Sequence, residues 1–98
     1  MNAPAGGGAA LVRDFKITNK RGLHARASAR FVQCAERFKA TITVSKDQAT
    51  VDGESIMDLM MLAAGPGSTV RVSAEGADAE AALAAIAELI AGKFGEED

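Results

Sequence analysis

Hydrophobic and polar residues alternate along short stretches of this 98-residue chain, and such alternation is typical of β-strands. It predicts a half-buried strand over residues 12–18 and a β-branched strand over residues 41–45. A polar turn at residues 46–48 precedes a short returning strand, residues 49–51, and a further strand is expected at residues 69–73.

Apolar residues recur at spacings of three and four between these strands, which predicts helices. Residues 24–38 form the first helix, and its apolar face consists of Ala27, Phe31, Cys34, Ala35 and Phe38. Ser55, followed three residues later by Asp58, resembles a capping box and begins a short second helix. Residues 65–67, Gly-Pro-Gly, end that helix, and an Ala-rich third helix is expected over residues 78–91.

The element order is therefore β-α-β-β-α-β-α. This order indicates the α+β class, with one sheet covered on one face by helices. A chain of 98 residues makes one domain. We expect the domain to span residues 11–93, after a disordered leader at residues 1–10 and before an acidic tail at residues 94–98.

Composition excludes several classes of protein. With one cysteine and one histidine, the chain forms neither an internal disulfide nor a structural zinc site, and we expect no metal and no cofactor. The cysteine, Cys34, lies on the apolar face of the first helix and is expected to be a small buried hydrophobe. No stretch has the character of a signal peptide or the length of a membrane span, which predicts a cytoplasmic protein with no membrane partner.

Charge is distributed unevenly along the chain. Residues 1–46 carry nine Lys and Arg against two acidic residues, a balance of +7, whereas residues 47–98 carry two against eleven, a balance of −9. A positive field around the first half would attract phosphate groups or acidic partner surfaces. The alternative is a fold that interleaves the two halves and averages the field.

The one histidine, His24, lies where the first strand, a turn containing Gly22 and the first helix succeed one another. The N-terminus of a helix favours an anion, because its backbone N–H groups lack partners and the helix dipole is positive there. Arg26 follows two residues later. This segment is therefore the candidate site for a phosphate group; the alternative is a histidine that only ends the turn and caps the helix.

Two motifs resemble signatures of a known family. Residues 22–26, Gly-Leu-His-Ala-Arg, resemble the active-site signature of the HPr family, the histidine-containing phosphocarriers of the bacterial phosphotransferase system. Residues 55–57, Ser-Ile-Met, followed by Leu59 and Met60, resemble the second signature, around a regulatory serine. The resemblance covers residues 11–92. It implies an open-faced β-sandwich: a four-stranded antiparallel sheet of order 1-4-2-3 with three helices on one face.

The resemblance also implies roles for residues. His24 would accept a phosphoryl group on Nδ1 from enzyme I and pass it to a histidine of an EIIA-type acceptor. Arg26 would neutralise the phosphoryl oxygens, and the backbone amides of Ala25, Arg26 and Ala27 would bind them. Ser55 would be the target of an HPr kinase/phosphorylase. The protein would be a monomeric carrier rather than a turnover enzyme.

Candidate docking residues surround these two motifs: Arg21, Arg30, Ile56, Met57 and Met60. The methionines of the second helix, Met61 included, cannot all face the core of so short a helix, and methionine surfaces adapt to several partners. The alternative is that at least one of them fills a gap in the core.

Two positions depart from the family pattern: Ala27 replaces the usual proline, and Arg21 stands where many members have a small polar residue. Residues 18–20 and the acidic end resemble the nitrogen-related branch, NPr, which we prefer to the sugar branch. The alternatives are a non-transferring regulatory binding protein of the same fold and a nucleic-acid-binding domain. Because the chain has no Trp or Tyr to stack on bases, we expect no nucleic-acid partner.

Overall fold

The computed structural model describes residues 10–96. Residues 1–9, which hold nearly all of the predicted leader, and residues 97–98 lie outside the described residues. Within the described range, four strands and three helices follow one another in the predicted order: β1 Leu11–Lys16, α1 Ala25–Ala35, β2 Thr41–Lys46, β3 Ala49–Asp52, α2 Ile56–Met61, β4 Thr69–Glu75 and α3 Ala79–Ala91, followed by a 3₁₀ turn at Lys93–Gly95. No helix among residues 10–96 is long and apolar enough to cross a membrane.

The strands form one antiparallel sheet in the order β1-β4-β2-β3, which confirms the order that the resemblance implied. Val44 of β2 lies opposite Val72 of β4 and Val51 of β3, so the apolar positions of the strands share one face. That face lies under the helices. The other face is polar and open, and its Ser45 and Thr50 hydroxyl groups are 2.9 Å apart.

The core lies between the sheet and the helices. Ile42, Val44, Val70 and Val72 come from the sheet, and Phe31, Leu59, Leu83 and Ile86 come from the three helices; all are essentially inaccessible to solvent. Each such side chain contributes about 1.5–3 kcal/mol by its burial. Cys34 is buried and forms no disulfide, as expected of a small hydrophobe on this face.

The first strand differs from its prediction. Residues 12–18 alternate as a half-buried strand, yet β1 ends at Lys16, and apart from the partly buried Phe15 it is exposed. The reason is its place at the edge of the sheet, where helices cover little of it. Ile17, just beyond the strand, is buried, and its N–H donates to the carbonyl of Ser68 over 2.8 Å.

The C-terminal segment corrects the predicted domain boundary at residue 93. Phe94 is only 1% exposed and belongs to the core, so the fold continues to Glu96. Lys93 and Phe94, just after α3, both have φ of 57°, in the left-handed region. The sequence predicts an acidic tail from residue 94 because of its charged residues, but burial of the aromatic ring of Phe94 outweighs that acidic character.

Candidate functional site

The loop before α1 is held against the loop between α2 and β4. Gly22 has φ of +65°, and a Cβ at this position would lie 2.3 Å from the carbonyl oxygen of Ala64. The next residue, Leu23, donates its N–H to the same oxygen over 2.9 Å. Glycine is therefore required here for its conformation and for the close approach of two backbones. The contact fixes the position of His24.

His24 is the N-cap of α1. Its Nδ1 atom accepts a hydrogen bond from the backbone N–H of Arg26 over 3.3 Å, and its carbonyl accepts from the N–H of Ser28 over 2.8 Å. The Ser28 hydroxyl is buried and donates back to the carbonyl of Leu23 over 3.1 Å. Nδ1, the atom predicted to carry the phosphoryl group, thus faces the amides at the start of the helix.

The opposite edge of the ring meets an acidic residue that the sequence does not reveal. Nε2 of His24 is hydrogen-bonded to a carboxylate oxygen of Glu96, and Nδ2 of the buried Asn19 donates to the other oxygen over 3.1 Å. The His24 hydrogen bond is the main cause that holds the pKa of Glu96 below its ordinary value, and Asn19 and Arg21 act in the same direction against the effect of burial. Phe94, an aromatic residue in an acidic end, is the one sequence signal that this segment packs.

Basic side chains surround the ring. A cleft of about 250 Å³ is lined by Lys20, Arg21, His24, Arg26, Arg30, Gly95 and Glu96. Four cationic side chains and one carboxylate therefore line this cleft. The fold thus does not average out, around His24, the positive charge carried by residues 1–46. Fixed cations beside backbone amides are the usual means of stabilising phosphoryl oxygens.

Arg26 and Arg30 have different surroundings. The Arg26 side chain is exposed at the cleft and free to approach a group on Nδ1. Arg30, which the helical pattern places on the outer face, is half-buried, and its guanidinium group donates to the carbonyl of Phe94. Arg30 therefore supports the C-terminal turn while it lines the cleft. Arg21 is exposed beside both.

The second helix begins at Ser55, whose hydroxyl accepts a hydrogen bond from the N–H of Asp58 over 3.2 Å. Leu59 alone among the residues of α2 is buried. The exposed apolar side chains of this helix are Ile56, Met57, Met60 and Met61, and Met57 and Met61 are 70% and 76% exposed. The alternative of a methionine filling the core is therefore wrong. Residues 63–65, which follow the helix, line the other side of His24.

Comparison with known proteins gives a consistent result. The family model described as "PTS HPr component phosphorylation site" matches residues 11–92. The chain belongs to the HPr family. A phosphocarrier protein HPr of Cupriavidus necator is 50% identical over 86 residues, which cover 88% of this chain and 97% of that protein. A phosphocarrier protein NPr of Shewanella violacea is 41% identical over 86 residues, covering 88% of this chain and 94% of that protein.

Solved HPr structures share the fold. The crystal structure of HPr-C-His from Thermoanaerobacter tengcongensis has a TM-score of 0.86 and 46% identity to this chain, and the match covers 90% of this chain and 99% of that one. The chain is thus an HPr phosphocarrier of the bacterial phosphotransferase system, a carrier and not a catalytic enzyme. Proteins of this family interact with enzymes of that system such as enzyme I and EIIA.

Proposed function

We propose that this HPr protein accepts a phosphoryl group on Nδ1 of His24 from enzyme I and passes it to a histidine of an EIIA-type acceptor. The observation that carries this proposal is the position of Nδ1, which lies 3.3 Å from the Arg26 amide at the start of α1, beside a cleft with four cationic side chains. This geometry also favours a carrier over a non-transferring binder, which needs neither a capping histidine nor the exposed guanidinium of Arg26.

The transfer is an in-line exchange between two nitrogen atoms. Nδ1 forms its bond to phosphorus as the N–P bond of the donor breaks, and the electron pair of that bond returns to the donor nitrogen. The reverse sequence delivers the group to the acceptor. The amides of Ala25, Arg26 and Ala27 and the guanidinium group of Arg26 stabilise the phosphoryl oxygens in both directions.

Partners dock, in this proposal, on the exposed apolar surface formed by Ile56, Met57 and Met60, with Arg21 and Arg30 supplying charge beside the cleft. The α2–β4 loop connects this surface to the site, because its residues 63–65 line one side of His24. Apolar contact supplies most of the binding free energy in such an interface, and charges at its rim raise the association rate.

Ser55 is the proposed target of an HPr kinase/phosphorylase. A phosphoryl group at this N-cap would adjoin Ile56 and Met57, so it would add roughly −1.5 to −2 charges beside the apolar docking surface. Its hydroxyl oxygen already accepts the Asp58 amide, and a phosphate oxygen can accept the same N–H. The modification therefore changes docking without requiring the helix to unfold.

The preference for the nitrogen-related branch stays a prediction. It depends on residues 18–20 and on the acidic end, yet Asn19 and Glu96 both belong to the His24 site, which accounts for them without reference to an acceptor. The test is a comparison of phosphate exchange with a sugar-type and a nitrogen-type enzyme I, each paired with its own EIIA-type acceptor. Cytoplasmic location and a monomeric state likewise stay predictions.

The decisive experiment incubates the protein with enzyme I and phosphoenolpyruvate and locates the phosphate by mass spectrometry. We expect one acid-labile phosphate on His24 and none on His24→Ala. That variant loses a helix cap, at a cost of about 1 kcal/mol, and should stay folded. Labelling that persists in His24→Ala would refute the proposal. Arg13→Ala, a change at an exposed residue of β1, is the control and should be labelled like the wild type.

A further inference from the structure

Both ring nitrogens of His24 have partners, and the two contacts require the same tautomer. Nδ1 accepts the N–H of Arg26 over 3.3 Å, so it carries a lone pair. The proton of the neutral ring is therefore on Nε2, which donates it to Glu96. The carboxylate thus holds the tautomer in which Nδ1 is the nucleophile.

The carboxylate of Glu96 is fixed in place by the fold. Phe94 anchors the segment in the core, and Arg30 donates to the Phe94 carbonyl. Asn19, fully buried, donates one N–H to Glu96 over 3.1 Å and the other to the carbonyl of Gly22 over 2.8 Å. The amide of Asn19 therefore ties the C-terminal segment to the turn that positions His24.

We propose that Glu96 is a positioning residue for phosphoryl transfer. Its carboxylate keeps the proton on Nε2 of His24 while Nδ1 gains and loses the phosphoryl group. The inference rests on the proposed carrier function. When Nδ1 donates its lone pair to phosphorus, the ring is still protonated on Nε2 and becomes positive. When the N–P bond breaks and its electron pair returns to Nδ1, a ring that has kept this proton is the better leaving group.

The charges around the ring show why a carboxylate is needed. Lys20 and Arg21 face His24 from the loop before α1, and Arg26 and Arg30 face it from α1. These four cations stabilise the phosphoryl oxygens but disfavour a positive ring. The α2–β4 loop, residues 63–65, contributes no charge to this site. Among residues 10–96, Glu96 is the acidic residue that lines the cleft, and it stabilises the positive ring in both directions of transfer.

The test compares Glu96→Gln and Glu96→Asp with the wild type in the full chain. Single-turnover rates are measured from phosphorylated enzyme I to the protein and from the phosphorylated protein to the acceptor, with the partner at saturating and subsaturating concentrations. We expect Glu96→Gln to lower the saturating rate roughly 10-fold, which corresponds to the loss of one charge-assisted hydrogen bond, and to leave partner affinity unchanged. The loss should increase toward alkaline pH, because an unassisted ring gives up its Nε2 proton more easily. Glu96→Asp should recover part of the rate.

Glu75→Gln is the matched control, because it makes the same change of charge at an exposed site beside Thr41, beyond the other end of α1. It should behave like the wild type. Nitrogen-15 NMR of the unphosphorylated protein gives a readout independent of partners: the hydrogen-bonded Nε2 proton of His24 should be observed in the wild type and lost in Glu96→Gln.

Two outcomes would overturn the inference. One is wild-type transfer by Glu96→Gln; the other is a loss that is equal at every pH and is not relieved in Glu96→Asp, which marks a purely structural role. Both leave the carrier function intact, because the wild type still takes phosphate on His24. Absence of phosphate on His24 in the wild type would instead refute the proposed function as well.

Discussion

Replacement of Gly22 by alanine tests how firmly the turn before α1 holds His24. Alanine at φ +65° costs about 1–2 kcal/mol. Its Cβ would also lie 2.3 Å from the Ala64 oxygen and 2.8 Å from the Gly65 Cα, both backbone atoms that cannot rotate away. The two loops must therefore separate, which breaks the hydrogen bond from Leu23 to Ala64, worth about 0.5–1.5 kcal/mol. The expected total loss in the free energy of unfolding is roughly 1.5–3.5 kcal/mol.

Urea unfolding at 25 °C measures this loss, with the slope m as a check that the unfolded state is unchanged. A protein of this size has about 5–15 kcal/mol of stability, so Gly22→Ala should still fold. Its rate of phosphorylation on His24 should fall as well, because the ring moves with the loop. If the displacement of the ring raises the free energy of the transition state by about 1.4 kcal/mol, the phosphorylation rate falls about 10-fold.

Gly67→Ala is the matched control. Gly67 also has positive φ, +89°, but a Cβ there meets no atom within 4 Å. The control therefore carries the conformational cost without the collision, and its stability loss should stay near 1–2 kcal/mol. If the two variants lose the same stability, the close approach of Gly22 to Ala64 contributes nothing and the reasoning is refuted.

Three further predictions concern charge and modification. Arg26→Ala should slow transfer roughly 100-fold at saturating enzyme I. Arg26→Lys should recover only part of this loss, because an ammonium group lacks the two-pronged guanidinium geometry. Equal transfer rates for the wild type and Arg26→Ala would exclude the role of Arg26. Ser55→Asp should raise the apparent KM of enzyme I for the carrier several-fold, with little change in Tm. Ser55→Ala should lose about 1 kcal/mol of stability and keep the same KM. If Ser55→Asp binds enzyme I as tightly as the wild type, Ser55 is a helix cap only. The pKa of Glu96 is lowered below its ordinary 4.5. The contribution of Glu96 to stability is therefore present above about pH 4.5, and it is lost as the pH falls through the lower pKa of the folded state. A stability difference between the wild type and Glu96→Gln that persists in acid would contradict this direction of pH dependence.

Local periodicity predicts much of this fold, because strand alternation and helical spacing are properties of neighbouring residues. The predicted apolar face of α1 is correct at Ala27, Phe31, Cys34 and Ala35, which are all buried. The prediction misses Ser28 and Val32 on the same face, and it continues the helix to Phe38, whereas α1 ends at Ala35. Hydrogen bonds such as that from the Phe38 N–H to the Ala35 carbonyl, 3.2 Å, tighten the chain there into a turn.

The exposure of β1 and the burial of Phe94 could not be predicted in the same way. Alternation in β1 indicates two faces but not an edge position, which depends on the other strands. The sheet order itself came from the family resemblance and not from periodicity. The contact between His24 and Glu96 joins residues 72 positions apart, so no local spacing encodes it. Residues 94–98 look solvated by composition, whereas the structure buries Phe94 in the core.

Helix capping and phosphate carriage are not alternatives at His24. The Nδ1 lone pair that accepts the Arg26 amide is the same lone pair that would attack phosphorus. Once Nδ1 carries the phosphoryl group, the phosphoryl oxygens can accept the amides at the start of α1 in its place, so the helix end keeps its hydrogen bonds in both states. A residue that caps the helix in either state can gain and lose a phosphoryl group repeatedly while the fold that positions it, from Gly22 to Glu96, stays the same.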